Sequence, residues 1–243
     1  MQFGTLYGIG VGTGDPELIT LKGWKRLQNS PVVAFPAGRD NQLGFAETII
    51  APWLQPSQTK LPLEFPYLQD SDRLQEAWDR ASDKVWNYLS QGQDIAFACE
   101  GDIGFYSTFN YLAQTLQRDH PEVEIILIPG ISSPMAAASV RGKPLTWRDQ
   151  RLTILPALYH MEGLESALDI SDVTVLMKVS SVYPQVWNVL KRRNLLEHSY
   201  IVERATLPEQ TIYTNLGDRP ELSLSYFSVL IIHSNSSSTA IGN

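Results

Sequence analysis

Tyr7-Gly8-Ile9-Gly10-Val11-Gly12-Thr13-Gly14-Asp15-Pro16-Glu17-Leu18-Ile19-Thr20 is the stretch on which the reading of this chain turns. Phe3, Leu6, Tyr7, Ile9 and Val11 make an apolar, β-prone start, and glycine recurs at every second position from Gly8 to Gly14. Asp15-Pro16-Glu17 then opens an apolar-periodic segment. The spacing predicts a buried strand, a turn whose bare backbone admits a close neighbour, and a helix with an Asp cap and Pro at its first position. A strand end of this kind in an α/β sheet is where a ligand is expected. The dinucleotide fingerprint Gly-x-Gly-x-x-Gly does not fit: counted from Gly8 its last glycine falls on Thr13, and from Gly10 on Asp15. Phe35-Pro36-Ala37-Gly38 stands where a ribose-binding acid belongs, and no Gly-Lys-Ser/Thr sequence occurs. A phosphate cradle is therefore not the reading.

A chain of 243 residues suits one large domain or two modest ones, and 43% hydrophobic residues are ample for a packed core. No apolar run approaches the ~20 residues that span a bilayer, and the N-terminus lacks a charged region followed by a long apolar core. Cys99 stands alone, which excludes an internal disulfide and fits a reducing compartment. The expectation is a soluble, cytoplasmic protein without a membrane partner. A net charge of −7 argues against nucleic acid as a partner. His120, His160, His198 and His233 are scattered without cysteines at ligand spacing, so no metal site is expected.

Strand and helix patterns alternate along the first half. Strands are predicted at 31–35, 94–99 and 123–128, with helices at 44–54, 71–90 and 105–116. The run Ile95-Ala96-Phe97-Ala98-Cys99 is continuously apolar, as in a parallel strand buried on both faces. Composition shifts across 141–151, where four basic residues accompany one acid and Pro144 interrupts regularity. Beyond it, strands are predicted at 152–155, 173–177, 200–202, 211–213 and 227–232, with a helix at 182–193. Several of these lack an intervening helix, which points to a mixed second sheet. The polar tail 234–243 is expected to be disordered.

Two further strand ends carry possible chemistry. Glu100-Gly101-Asp102-Ile103-Gly104-Phe105-Tyr106-Ser107-Thr108 follows the buried strand, and Ile128-Pro129-Gly130-Ile131-Ser132-Ser133-Pro134 closes another before a helix at 135–140. Taken alone, Asp102 reads equally as a helix cap and the serines as an ordinary cap. With the opening stretch, with Leu176-Met177-Lys178 and with Glu203-Arg204-Ala205-Thr206-Leu207-Pro208-Glu209-Gln210, the order and spacing resemble the tetrapyrrole (corrin/porphyrin) methylase family over nearly the whole chain. Finer features (Ala34-Phe35-Pro36-Ala37, Leu63-Glu64-Phe65-Pro66 and Arg151-Leu152-Thr153-Ile154-Leu155-Pro156-Ala157) look like the branch that methylates C20 of precorrin-2 or its cobalt-loaded form. The chain departs from the family pattern at Thr13 and Ile103, where proline is usual.

The resemblance implies two α/β domains of the class III methyltransferase type, placed here at 1–118 and 119–233. The first sheet would be mostly parallel and the second mixed, with S-adenosylmethionine in the cleft between them and a homodimer as the usual assembly. Carried over by position, it sets the cofactor against Gly101, Asp102, Phe105, Ser107, Thr108, Ser132, Ser133, Met177, Arg204, Ala205 and Ser228. A thioether such as Met177 packs flexibly on an apolar face, although taken alone Met177 reads as ordinary core. The tetrapyrrole would carry eight carboxylates, for which Gly12, Thr13, Arg141, Lys143 and Lys178 are the candidate contacts among a wider set of cations including Lys22, Lys25, Arg26, Arg148 and Arg151. No residue is singled out as a base, although Glu100, Asp102 and Tyr106 stand nearby. Two other readings remain open: a same-fold methylase acting on another tetrapyrrole position or on ribosomal RNA, and a non-catalytic S-adenosylmethionine or metabolite sensor.

Overall fold

The computed structural model describes residues 2–38, 42–65, 71–158 and 160–234. The chain divides into two compact units, Met1–Ser132 and Ser133–Asn243. In the first, β1 (Leu6–Gly10), α1 (Leu21–Asn29), β2 (Val32–Pro36), α2 (Phe45–Ile50), β3 (Thr59–Leu63), α3 (Ser71–Leu89), β4 (Ile95–Cys99), α4 (Phe109–Asp119) and β5 (Ile125–Ile128) follow in order. The strands form one sheet in the order β3-β2-β4-β1-β5, and every pair is parallel. Both faces are covered, which is why β1, β2 and β4 read as unbroken apolar runs. Leu6, Phe97, Phe109 and Leu112 pack on the side of α3 and α4. Ile9, Leu27, Phe35 and Ile49 pack on the side of α1 and α2.

The parallel sheet is as expected, but several of its parts differ. Asp15 caps only a single 3-10 turn, Pro16–Leu18, by accepting from Glu17 N at 2.9 Å. The helix proper starts at Leu21, where the Thr20 hydroxyl accepts from Gly23 N at 3.1 Å. Strand β3 went unpredicted because Thr59 and Lys60 are exposed and Pro62 interrupts it; β3 lies at the sheet edge, the place where a strand tolerates proline. Helix α4 begins at Phe109 rather than near 105, since Tyr106 at φ 53 cannot continue a right-handed helix. Strand β5 pairs with β1, and the contact boundary follows Ser132.

The second unit contains α5 (Ser133–Arg141), β6 (Leu152–Leu155), α6 (Met161–Ile170), β7 (Val173–Met177), α7 (Tyr183–Arg192), β8 (Ser199–Glu203), β9 (Thr211–Tyr213) and β10 (Ser228–His233). The sheet order is β6-β7-β10-β8-β9; β6 and β7 are parallel and the remaining pairs antiparallel, giving the mixed sheet that was expected. Leu164, Leu176, Val186, Leu190, Ile201 and Leu230 bury one face beneath α6 and α7. Helix α6 was not foreseen: it buries only Leu164, Ala167 and Leu168, a stripe too slight to stand out in sequence. The tail expected to be disordered lies outside the described residues from Asn235 onward.

Candidate functional site

In the first unit the carboxyl ends of β4, β1 and β5 lie side by side, and their backbones touch because the contact residues have no side chains. A Cβ on Gly130 would stand 2.4 Å from Gly101 O and 2.5 Å from Gly10 O. Across the same junction Gly101 N donates to Gly12 O at 2.6 Å, and Gly12 N to Gly101 O at 3.2 Å. Gly101 has φ +73, and a Cβ placed there would meet nothing within 4 Å. The residue therefore needs glycine for its backbone and faces open space.

Asp102 ties this edge together. Its Oδ2 accepts from Gly130 N at 2.9 Å and its Oδ1 from Gly104 N at 3.0 Å. The first bond spans two strand ends 28 residues apart in sequence, so Asp102 does not cap α4. Just before that helix the Ser107 hydroxyl accepts from Phe109 N at 3.1 Å and donates to Cys99 Sγ at 3.2 Å. Burial, helped by the neighbouring Glu100 charge, pushes the Cys99 thiol up to about 12, which keeps it protonated and non-nucleophilic. Phe105 packs edge-on against Tyr106 at 4.6 Å, and Tyr106 is 54% exposed. Gly12, Thr13, Thr108 and Ser132 belong to the same set of strand ends, with Thr13, Thr108 and Ser132 half-buried.

A second group gathers at one edge of the other sheet. Met177 pairs with Val229 and Ser228 with Glu203; Lys178 N donates to Ser228 O at 3.0 Å and Arg204 N to Phe227 O at 2.8 Å. Met177, Lys178, Arg204 and Ser228 thus lie side by side, with Ala205 next in the chain, while Ser133 starts α5. Lys178, Arg204 and Thr206 all sit in the left-handed region, at φ 54, 52 and 72. Non-glycine residues persist there only where surrounding contacts over-determine them, and such strain clusters at functional sites. One of those contacts is Glu203, absent from the expected site residues although it opens the Glu-Arg-Ala-Thr run. Its carboxylate accepts from Ser225 N at 2.6 Å and from the Tyr213 hydroxyl at 3.2 Å. Burial works to raise the Glu203 carboxyl, but these donors and the Arg204 charge outweigh it and hold its pKa below the ordinary value.

The other expected cations do not join this edge. Arg141 ends α5 and lies 5.8 Å from the Tyr200 ring, near the start of β8, whereas Lys178 lies near the end of β7 beside Ser228. Lys143 follows Arg141 just past the end of α5, its N donating to Ala138 O at 3.3 Å. Lys22, Lys25 and Arg26 line an open concavity of about 590 Å³ along α1. Among the described residues, no group of three or more His, Cys, Asp or Glu is placed to hold a metal ion, and no helix is long and apolar enough to cross a membrane.

Residues 5–219 match the family described as Tetrapyrrole (Corrin/Porphyrin) Methylases. The chain is 32% identical to a probable cobalt-precorrin-2 C(20)-methyltransferase of Methanocaldococcus jannaschii, over 91% of each chain. It is 30% identical to a precorrin-2 C(20)-methyltransferase of Sinorhizobium sp, over 94% of this chain and 95% of that one. The chain spans about half the length of other curated relatives that it matches. Among solved structures, a cobalt precorrin-4 methyltransferase of cobalamin biosynthesis, CbiF, superposes with a TM-score of 0.73 over 94% of each chain at 22% identity, a likeness of fold.

Proposed function

The chain belongs to the tetrapyrrole methylase family, and from that premise we propose that it transfers a methyl group from S-adenosylmethionine to C20 of precorrin-2 or of cobalt-precorrin-2. The observation that carries the reading is the glycine-closed edge of the first sheet, with Asp102 as its strut and Gly101 open beside it. The donor's ribose hydroxyls, ammonium and carboxylate suit the backbone amides, carbonyls and hydroxyls that the glycine edge offers. Once bound, S-adenosylmethionine supplies an already activated methyl group.

The work left to the protein is then placement. Asp102 fixes the backbone around Gly101 through Gly130 and Gly104, and Glu203 fixes the segment leading to Ser228 through Ser225. Holding two reactants at near-attack distance supplies roughly 7–11 kcal/mol of the transfer barrier. As the new C–CH3 bond forms the donor's S–CH3 bond breaks, S-adenosylhomocysteine leaves, and the hydrogen replaced at C20 departs as a proton. The substrate's carboxylates call for Arg and Lys partners, and Lys178 and Arg204 at the Ser228 edge are the candidates for them. The reading takes the protein as a cytoplasmic homodimer, as the family resemblance implies.

Incubation with metal-free and cobalt-loaded precorrin-2 plus labelled donor, with the methylated carbon read by NMR, tests the proposal and decides between the two substrates. Label at C20 is expected. S-adenosylhomocysteine binding without transfer to any tetrapyrrole identifies a sensor instead, and transfer to another carbon moves the reading to a different branch.

A further inference from the structure

At the opposite edge of the second sheet from Ser228, we propose that Arg141, Tyr200, Lys143 and His233 form a binding site for a small oxyanion, a phosphate or a carboxylate. Tyr200 is 6% exposed and its hydroxyl is buried without a partner; the Arg141 Nε is buried without one too. The two groups are neighbours, with the Arg141 guanidinium 5.8 Å from the Tyr200 ring centroid. The His233 ring stacks on Tyr200 at 6.2 Å and 20°. Buried donors without acceptors cost free energy, and an anionic oxygen is the partner that suits a guanidinium and a phenol together.

The surroundings are positive. Burial, then the charges of Lys143 and His198, hold the His233 imidazole below its ordinary pKa. Among the described residues no carboxylate lies within ion-pair distance of Arg141 or Lys143, although the chain as a whole carries −7. Nor is Arg141 spent on capping its own helix. The turn at Gly142, φ +70, does that, with Gly142 N donating to Ser139 O at 3.0 Å and Lys143 N to Ala138 O at 3.3 Å. The site stands apart from the Met177 and Ser228 edge by the length of β10, roughly 17 Å at about 3.4 Å per residue. Its ligand is therefore either a free anion or a carboxylate arm on the far side of a large substrate; the second source rests on the tetrapyrrole reading, and the first does not.

The test titrates inorganic phosphate into the wild-type chain, Arg141→Met and Tyr200→Phe by calorimetry, and measures KM and kcat for precorrin-2 in all three. Tyr200→Phe keeps the ring and removes only the unpartnered hydroxyl, so it is expected to melt no lower than wild type while weakening phosphate about fivefold. Arg141→Met is expected to weaken it twentyfold or more. Weakened phosphate with an unchanged KM identifies a free-anion site. A KM raised at constant kcat, with phosphate competing, identifies a substrate arm. If Tyr200→Phe folds and neither quantity changes, the inference is overturned. A wild-type chain that binds phosphate but methylates nothing defeats the methyltransferase reading and leaves this one standing.

Discussion

Replacing Gly101 by Ala separates the folding role of the glycine edge from its binding role. A Cβ at Gly101 would meet nothing within 4 Å, so packing offers no resistance to the methyl group. The cost is conformational, because φ +73 is a left-handed backbone that costs an L-residue about 1–2 kcal/mol. For a chain of this size, 1 kcal/mol lowers the melting temperature by roughly 2–4 °C, so a loss of a few degrees is expected. Binding should suffer more than folding. If the open side of Gly101 is where the donor lies against bare backbone, the methyl group takes space that the ligand needs. S-adenosylhomocysteine measured by calorimetry should then bind at least tenfold more weakly, about 1.4 kcal/mol. A Gly101→Ala protein that melts a few degrees lower and binds with wild-type affinity would refute the placement of the donor at this edge. A collapse of the melting temperature would instead show that the space beside Gly101 is filled.

Gly130→Ala should do the reverse, because its Cβ would lie 2.4–2.5 Å from backbone oxygens of Gly101 and Gly10 that cannot swing aside; about 3 kcal/mol of overpacking is expected, seen as a melting loss of roughly 6–12 °C. Asp102→Asn keeps one acceptor oxygen for two backbone donors, so about 1.5 kcal/mol should be lost in urea melts and donor affinity should fall with it, whereas Asp102→Ala should lose more. The Glu203 carboxyl has a pKa lowered by folding, so its stabilisation is complete above its unfolded value of about 4.5 and drains away as pH falls through the lower folded value. Glu203→Gln should flatten the acid side of the melting-temperature profile, and two parallel profiles would show that the carboxylate is not coupled to folding.

What could be read from the sequence followed from periodicity and from where glycine falls. Strands β6, β7 and β9 lie at the bounds the pattern predicts, and α3 is within one residue of them; for β7 the cause is burial, since Val173 to Leu176 are all buried. Elements without such spacing stayed hidden. Strand β3 exposes Thr59 and Lys60 and carries Pro62, and α6 buries little more than Leu164 and Leu168. The positions of Gly101 and Gly12 were legible because glycine is the residue that adopts a left-handed backbone, φ +73 and +81 here, at no steric cost. Partnerships over long sequence distances were not. Nothing in Glu100-Gly101-Asp102 says that its carboxylate will bind Gly130, and nothing in a scatter of cations says that Arg141 will lie on Tyr200, away from Lys178.

The charged groups at both edges are committed to backbone rather than to proton chemistry. Asp102 is occupied by two amide donors and Glu203 by an amide and a phenol, while Cys99 is locked in its neutral form. An enzyme that activates its own nucleophile or leaving group needs a titrating side chain poised near the working pH. A methyl donor that carries its leaving group with it needs position, and position is what carboxylates spent on loop backbones provide. The left-handed residues Lys178, Arg204 and Thr206 extend the same logic, since each is an unfavourable conformation held in place at a strand end where the backbone must present itself in one way. A chain that folded for stability alone would have no reason to retain three of them at one edge, so the strain is itself an argument that this edge, like the glycine edge, is shaped for a ligand.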